Sequence, residues 1–229
     1  MLDTSTIKNE ASKGFYKFVK QNPKVGHFLE QIQEYGELIV LGGALRDFSF
    51  NQIPRDIDIM VNTVETDFDD IMNMYDYRKN RFGGYNVLID NIELDVWSIK
   101  DNWAFKNRYY DASFKNVTKG AFFNIDAIAL NLDTGDIDAD KFSETLKNRM
   151  LDINLDLSYI DSNPNPEKNV VRAFRLRKKW KLEFSKSVQS YCQRWFDNNE
   201  NSFEIIFNVE KKHYGDNLLK ESDFDLLYS

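Results

Sequence analysis

Two aspartates separated by one residue, Asp56 and Asp58, lie in the alternating run Asp-Ile-Asp-Ile-Met-Val over 56–61. Alternate side chains of a β-strand point to the same face, so both carboxylates would share one face and Ile57 and Ile59 the other. Carboxylates this close together can share divalent cations, and oxygen ligands of this kind suit Mg²⁺. A solvated strand face has the same local pattern, so the neighbouring sequence has to distinguish the two interpretations.

A third carboxylate can come from residues 85–99, which are predicted as a hairpin that turns at Asp90-Asn91. Glu93 and Asp95 share one face of its second strand, and both are flanked by apolar residues. We prefer Asp95 as the third metal ligand, because its shorter side chain matches the other two aspartates. Glu93 lies nearer the turn, where it could face water, and stays as the alternative.

A diglycine precedes the aspartate pair. The apolar run 38–41 is predicted as a buried strand, Gly42-Gly43 follows it at once, and 44–47 reads as a first helical turn. Glycine lets the backbone come close to a phosphate, and the N–H groups at a helix N-terminus favour anions. Strand, diglycine, Arg-Asp, a proline-containing linker and Asp-x-Asp, in this order, predict a metal-dependent transferase site for a nucleoside triphosphate (NTP), bridged to the protein by Mg²⁺.

Two sets of cations are candidate phosphate contacts. Arg46, just after the diglycine, could contact the triphosphate or form a structural salt bridge with Asp47. On a helix predicted over 166–182, four cations would share one face: Lys168, Arg172, Arg175 and Lys179. We predict that this face binds phosphates, with Arg172 and Arg175 as nucleotide contacts. The alternative is that the face pairs with neighbouring Asp and Glu.

The sequences GGALRD at 42–47 and PRDIDI at 54–59 resemble the head-domain signature of the bacterial CCA-adding enzyme and poly(A) polymerase group, within the DNA polymerase beta nucleotidyltransferase superfamily. The resemblance continues through 123–129, 134–136 and 146–151, and 171–176 resembles the start of the family's helical neck. It implies a small mixed sheet with helices, metal-binding aspartates at Asp56 and Asp58, and transfer of a nucleoside monophosphate with release of pyrophosphate. RNA, particularly a tRNA 3′ end, is one acceptor compatible with this catalytic centre.

Two family motifs are replaced. Where the family holds the ribose with Arg-Arg-Asp, this chain has Gly120-Ala121-Phe122, and where CCA-adding enzymes read the base with Glu-Asp-x-x-Arg, 164–168 is Pro-Asn-Pro-Glu-Lys. We therefore predict triphosphate binding with weak preference for the base. The resemblance then implies a short and divergent member of that family. The acceptor stays open between RNA, a small molecule and a protein hydroxyl.

Two other functional classes compete with an enzyme. One is a non-catalytic nucleotide- or RNA-binding module that keeps the fold, and the other is a regulatory partner such as half of a toxin–antitoxin pair. Retention of three candidate carboxylates argues against the first class, since a decayed site should lose a costly cluster of like charges.

The elements that must position these residues divide near residue 142. Two short helices are predicted within 5–35, a helix over 66–79, and a second hairpin over 122–138. The remainder is predicted as helices at 143–152, 166–182, 185–197 and 203–212. The predicted fold is α+β, with a nucleotidyltransferase head over 1–142, built on a small mixed sheet with helices, and a helical neck-like domain over 143–229.

Composition excludes several classes. The 229 residues are 42% hydrophobic and 14% aromatic, enough for a core and unlike disordered or collagen-like chains. A net charge of −7 argues against non-specific coating of nucleic acid, although a local basic patch remains possible. One cysteine and two histidines cannot build a disulfide or a Cys/His zinc framework. We expect a cytoplasmic protein with no membrane partner, and the sequence does not predict its oligomeric state.

Overall fold

The computed structural model describes residues 3–65, 67–80 and 83–228. The chain forms two compact units. The first unit combines Met1–Ala121 with Ile125–Glu144, and the second combines Phe122–Asn124 with Thr145–Ser229. Within the described residues, no helix combines the length and the apolar character needed to cross a membrane.

Seven strands of the described part of the first unit form one mixed sheet. They are β1 (Glu37–Leu41), β2 (Asp56–Asn62), β3 (Asp76–Lys79), β4 (Tyr85–Ile89), β5 (Ile92–Ser98), β6 (Ala129–Asn131) and β7 (Ile137–Asp138). Their order across the sheet is β3-β4-β5-β2-β1-β6-β7. β2 and β5 run parallel, and the other neighbours run antiparallel. The predicted α+β fold with a mixed sheet is confirmed.

Helices before and between these strands are α1 (Thr4–Gln21), α2 (Pro23–Ile32), α3 (Gly43–Ser49), α4 (Asp69–Met72), α5 (Trp103–Lys106) and α6 (Phe114–Val117). The carboxylate of Asp3 caps α1 by accepting the N–H of Thr6 at 2.7 Å. Pro23 begins α2, where its missing N–H removes no helical hydrogen bond. The predicted pair of helices within 5–35 is thus confirmed.

The alternation of β2 separates its two faces as predicted. Ile57 and Ile59 are buried, whereas Asp56 and Asp58 are partly exposed. Met60 shares the face of the aspartates, and there it belongs to an apolar cluster with residues of β1, β6 and the segment from 99 to 117. That face is therefore apolar toward the end of β2 and acidic at its beginning.

A close helix contact fixes α3. A Cβ on Gly14 of α1 would lie 2.8 Å from the Cβ of Phe48 and 2.9 Å from its carbonyl oxygen, so the two helices approach this closely only because residue 14 is glycine. The rings of Phe15 and Phe18 pack against the Phe48 ring, with centroids 6.1 and 5.3 Å away. This contact holds α3 in place, and α3 begins at the Gly42-Gly43 turn.

The hairpin predicted over 85–99 is confirmed, with β4 and β5 joined by a two-residue turn. Asp90 and Asn91 have φ of 50° and 67°, the pair of positive values that a type I′ turn requires. The second predicted hairpin is narrower than expected. Within the predicted range 122–138, the two strands of the hairpin are the short β6 and β7. Asn124–Asp126 forms a 3₁₀ turn where the first strand was predicted to begin.

The helix predicted over 66–79 is wrong beyond Met72. The described part of this segment contains the short α4 and then strand β3, and residue 66 lies outside the described residues. The reason is tertiary: β3 pairs along its whole length with β4, Asp76 opposite Leu88 and Lys79 opposite Tyr85. Pairing with β4 gives the backbone of this segment its hydrogen bonds. A short polar helix in its place would lack the tertiary packing that stabilises short helices.

The second unit is mainly helical. It contains the end of α7 (Asp140–Asn148), β8 (Met150–Leu151), α8 (Pro166–Trp180), β9 (Glu183–Phe184), α9 (Lys186–Asp197) and α10 (Ser202–Tyr214). The rings of Phe174 and Phe196 pack on Phe224, with centroids 4.3 and 5.0 Å away. The four predicted helices are present with shifted ends. The first of them stops at Asn148 instead of 152, because the next residues enter β8.

Candidate active site

The register of the parallel pair β2 and β5 brings the candidate carboxylates together. Asp58 lies opposite Asp95, and Asp56 lies opposite Glu93. Partners in a parallel pair point to the same face, so four carboxylates line one face where both strands begin. Asp56, Asp58 and Asp95 are partly buried, whereas Glu93 is exposed.

The environment of Asp95 raises the pKa of its carboxyl group. Burial is the main cause that raises its pKa above the ordinary 3.8, and the charges of Asp56 and Glu93 raise it further. A hydrogen bond from the Nδ2 of Asn86 to Asp95 Oδ1, at 3.0 Å, and the charge of Arg55 oppose this shift. The burial and the partnership with Asp58 favour Asp95 over Glu93 as the third carboxylate.

The diglycine turn lies beside Asp58. A Cβ on Gly42 would lie 3.7 Å from Asp58 Oδ2, and Gly42 adopts φ 71°, a value that L side chains rarely adopt. Its N–H donates to the carbonyl oxygen of Ile128 at 2.9 Å, which ties the turn to the segment before β6. The backbone at this turn therefore approaches a carboxylate of the site without an intervening side chain.

Arg46 lies in a buried ion-pair network. Its side chain is 8% exposed, its Nε donates to Asp47 Oδ1 at 2.9 Å, and its Nη1 donates to Asp126 Oδ1. A Cβ on Gly43 would lie 3.2 Å from Arg46 Nη2, so the second glycine makes room for the guanidinium. This placement favours the structural alternative for Arg46, in which the guanidinium ties α3 to the 3₁₀ turn at Asn124–Asp126.

Three further polar residues belong to this region, and sequence reasoning did not assign them a role. Arg55 donates to Asp56 Oδ2 from Nη2 at 2.6 Å and from Nε at 3.2 Å. Asn86 contacts Asp95, and Asp126 contacts Arg46. The signal for Asn86 was present, because a two-residue turn at 90–91 pairs 89 with 92 and hence 86 with 95.

In the second unit, Arg175 is held by two carboxylates. Its Nη1 donates to Glu210 Oε1 and to Asp216 Oδ1, both at 2.6 Å, and its guanidinium carbon lies 4.1 Å from the centroid of the Tyr214 ring. Glu210 is fully buried and also accepts the backbone N–H of Leu218. These contacts favour the structural alternative for Arg175.

The other three cations of the predicted basic face differ in exposure. Arg172 is partly buried, whereas Lys168 and Lys179 are exposed on the same helix. The Nζ of Lys179 lies 5.0 Å from the centroid of the Trp180 ring. Of the four predicted phosphate contacts, the two lysines have the greatest access to solvent.

Within the described part of the chain, no three Asp, Glu, His or Cys side chains converge as metal ligands. Asp56 is turned to Arg55 and Asp95 to Asn86. The donor chemistry still fits Mg²⁺: the candidates supply only carboxylate oxygens, and Mg²⁺ in phosphoryl-transfer sites is held by one or two carboxylates together with substrate phosphates.

The fold is similar to that of solved CCA-adding enzymes. A CCA-adding enzyme in complex with CTP matches with a TM-score of 0.60 and 16% identity, over 86% of this chain and 49% of that one. The Thermotoga maritima CCA-adding enzyme complexed with tRNA matches with a TM-score of 0.60 and 18% identity, over 92% and 50%. A tRNA nucleotidyltransferase complexed with a primer tRNA and an incoming ATP analog matches with a TM-score of 0.52 and 18% identity, over 84% and 63%.

This chain spans between 49% and 63% of the lengths of those three proteins. Comparison of the sequence itself matches no protein-family model and no curated protein. At these identities the likeness establishes the fold, a mixed sheet with helices of the kind found in the CCA-adding enzyme head.

Proposed function

We propose that this protein is a Mg²⁺-dependent nucleotidyltransferase of the DNA polymerase beta superfamily. It transfers a nucleoside monophosphate from an NTP to an acceptor hydroxyl and releases pyrophosphate. The observation that carries the proposal is the register of Asp58 and Asp95 beside Gly42, in a fold shared with solved CCA-adding enzymes. The head over 1–142 contains this chemistry, and the neck-like domain over 143–229 adds contacts to the acceptor.

Asp56 and Asp58 would hold Mg²⁺, with Asp95 as the third carboxylate. When bound, the ion neutralises the triphosphate and stabilises the charge that develops on the leaving pyrophosphate. Gly42 and Gly43 seat the triphosphate, because Gly42 places no side chain in the space beside Asp58 Oδ2.

Asp95 would receive the proton of the acceptor hydroxyl. Burial raises the pKa of Asp95 above that of an ordinary aspartate, so its carboxylate is a stronger base than an ordinary aspartate. The hydroxyl oxygen then attacks the α-phosphorus, and the bond from that phosphorus to the pyrophosphate oxygen breaks. Asn86 fixes the orientation of Asp95 through Oδ1 and leaves Oδ2 as the oxygen for the acceptor.

RNA, and a tRNA 3′ end in particular, is the proposed acceptor. Of the three solved structures compared above, two contain tRNA and one contains CTP. The exposed lysines of α8, Lys168 and Lys179, are the proposed contacts to acceptor phosphates, with Arg172 beside them. Because 164–168 lacks the family's base-reading motif, the proposed enzyme binds the four NTPs with weak preference.

The test is incubation of the protein with each α-labelled NTP, Mg²⁺ and total cellular RNA, followed by separation of RNA, protein and small molecules. We expect labelled RNA from the wild type and the Asp76→Asn control, which alters an exposed acid of the same sheet, and no label from Asp58→Asn. Label in protein or small molecules would correct the acceptor. NTP binding without any transfer would identify a non-catalytic module.

A further inference from the structure

Arg55 forms an ion pair with the first aspartate of the candidate site. Two hydrogen bonds of its guanidinium group, from Nη2 at 2.6 Å and from Nε at 3.2 Å, end on one oxygen, Asp56 Oδ2. Arg55 lies just before β2, at the end of the linker that contains Pro54, so its side chain is not bound by the strand alternation. A cation of this chain thus occupies an oxygen that the proposed function assigns to a metal ligand.

The contact is of a kind that exchanges readily. The side chain of Arg55 is 51% exposed and that of Asp56 is 29% exposed. Ion pairs this accessible contribute little to stability, because water screens the charges and holding a long side chain in one place costs entropy. Another cation arriving at Asp56 Oδ2 would therefore displace the guanidinium at small cost.

Arg55 has one group of partners when nucleotide is absent and another when nucleotide is bound. Without nucleotide, the guanidinium offsets the like charges where β2 and β5 begin, and its charge also reaches Asp95. A bound triphosphate brings a larger negative charge, and guanidinium groups pair with phosphate oxygens in a two-point geometry. The same side chain can serve both partners because it starts at the edge of the site.

We propose that Arg55 exchanges between Asp56 and the phosphates of the bound nucleotide. It competes with the divalent cation for Asp56 when nucleotide is absent, and it binds phosphate once the cation holds that aspartate. This inference rests on the proposed function. It predicts opposite effects of one substitution on two affinities. Arg55→Lys keeps the positive charge, so a difference between this variant and wild type separates the two-point guanidinium contacts from the effect of charge alone.

The experiment measures both affinities in the full chain. Mn²⁺ alone is titrated by electron paramagnetic resonance, and tripolyphosphate is titrated by calorimetry with Mg²⁺ present. The variants are Arg55→Gln, Arg55→Lys and the control Arg78→Gln, which removes an exposed arginine from β3 of the same sheet. Thermal unfolding of each variant checks that the fold is kept.

We expect Arg55→Gln to bind Mn²⁺ roughly two- to fivefold more tightly, the range that an exposed ion pair can supply. The same variant should bind tripolyphosphate about tenfold more weakly, as loss of a charge-assisted contact requires. Arg55→Lys should lie between wild type and Arg55→Gln in both titrations, and Arg78→Gln should match wild type.

Unchanged or weaker Mn²⁺ binding by Arg55→Gln would overturn the exchange, as would unchanged tripolyphosphate binding. In both cases the proposed function would stand if wild type binds Mn²⁺ and Asp58→Asn does not. If wild type and Arg55→Gln both fail to bind Mn²⁺, the exchange and the proposed metal site fall together.

Discussion

Asp58 of β2 and Asp95 of β5 are cross-strand neighbours whose side chains point to the same face of the sheet. β2 and β5 run parallel in a sheet whose other neighbouring strands run antiparallel. Parallel pairing lets both strands begin at the same edge, so Asp56 pairs with Glu93 there and Asp58 pairs with Asp95 two residues further along. β1 ends beside them, where its last residue pairs with Asp58 and the Gly42-Gly43 turn follows. The sheet topology therefore assembles three strand ends into one site.

Asp56→Asn and Asp58→Asn should each abolish transfer while the protein stays folded. Each replacement removes one charge from a group of like charges, so we expect the melting temperature of the unliganded variants to equal or exceed that of wild type. The stabilisation that Mg²⁺ and NTP give wild type by mass action should be lost. Thermal unfolding with and without ligands measures both effects. Lower melting in both variants with activity retained would make these residues structural.

Asp95→Asn should stabilise the unliganded protein at neutral pH. The pKa of Asp95 is raised in the folded state, mainly by burial, so its ionisation weakens folding as pH rises from 3.8 to the folded-state pKa. The advantage of the variant should be complete above that folded-state pKa and should vanish below 3.8.

Urea midpoints across this pH range measure the effect, and Glu93→Gln is the matched control at an exposed position. An equal gain at every pH, or a gain only in Glu93→Gln, would contradict the burial of the Asp95 charge.

Gly14→Ala should destabilise the first unit, although alanine favours helices more than glycine by about 1 kcal/mol. The new Cβ would meet the Cβ and carbonyl oxygen of Phe48 at 2.8 and 2.9 Å, and overpacking of this kind typically costs about 1–3 kcal/mol. The free energy of unfolding from urea titration checks this. Lys17→Ala on the exposed side of α1 is the control. A gain of stability in Gly14→Ala would show that α1 does not fix α3.

Arg175→Met should destabilise the second unit by roughly 3 kcal/mol, because it leaves the buried carboxylate of Glu210 without its charged partner. Lys168→Met, on the exposed face of the same helix, should change stability by less than about 0.5 kcal/mol. The double variant Arg175→Met with Glu210→Gln should recover part of the loss. If Arg175→Met unfolds like wild type and binds RNA more weakly, Arg175 is a phosphate contact.

Features that depend on neighbouring residues were predictable from the sequence. The faces of β2 follow from strict alternation, and the turn at Asp90-Asn91 follows from two residues that tolerate positive φ. The residues around the diglycine and Asp-x-Asp also predicted the fold, since their order resembles a family with that architecture. These signals are local, so the chain displays them without its tertiary contacts.

Features that depend on distant partners were not predictable. β3 is a strand only because β4 pairs with it, and Arg46 meets Asp126 across 80 positions of sequence. A helical wheel placed Arg175 on the basic face, but it could not show that Glu210 approaches from α10. Sequence reasoning preferred Asp95 over Glu93 from side-chain length alone. It could not show that Asp95 lies opposite Asp58, because that register depends on β2 and no residue of β5 encodes it alone.

The central claim is that this site cleaves NTP between the α- and β-phosphates. The most direct measurement incubates the protein with Mg²⁺, RNA and the NTP that gives the most labelled RNA in the first assay. The NTP carries its label at the α-phosphate in one reaction and at the γ-phosphate in another. Wild type should place α-label in RNA and release γ-label as pyrophosphate, and Asp58→Asn should do neither. Transfer of γ-label to the acceptor, or α-label in RNA with Asp58→Asn equal to wild type, would contradict the account.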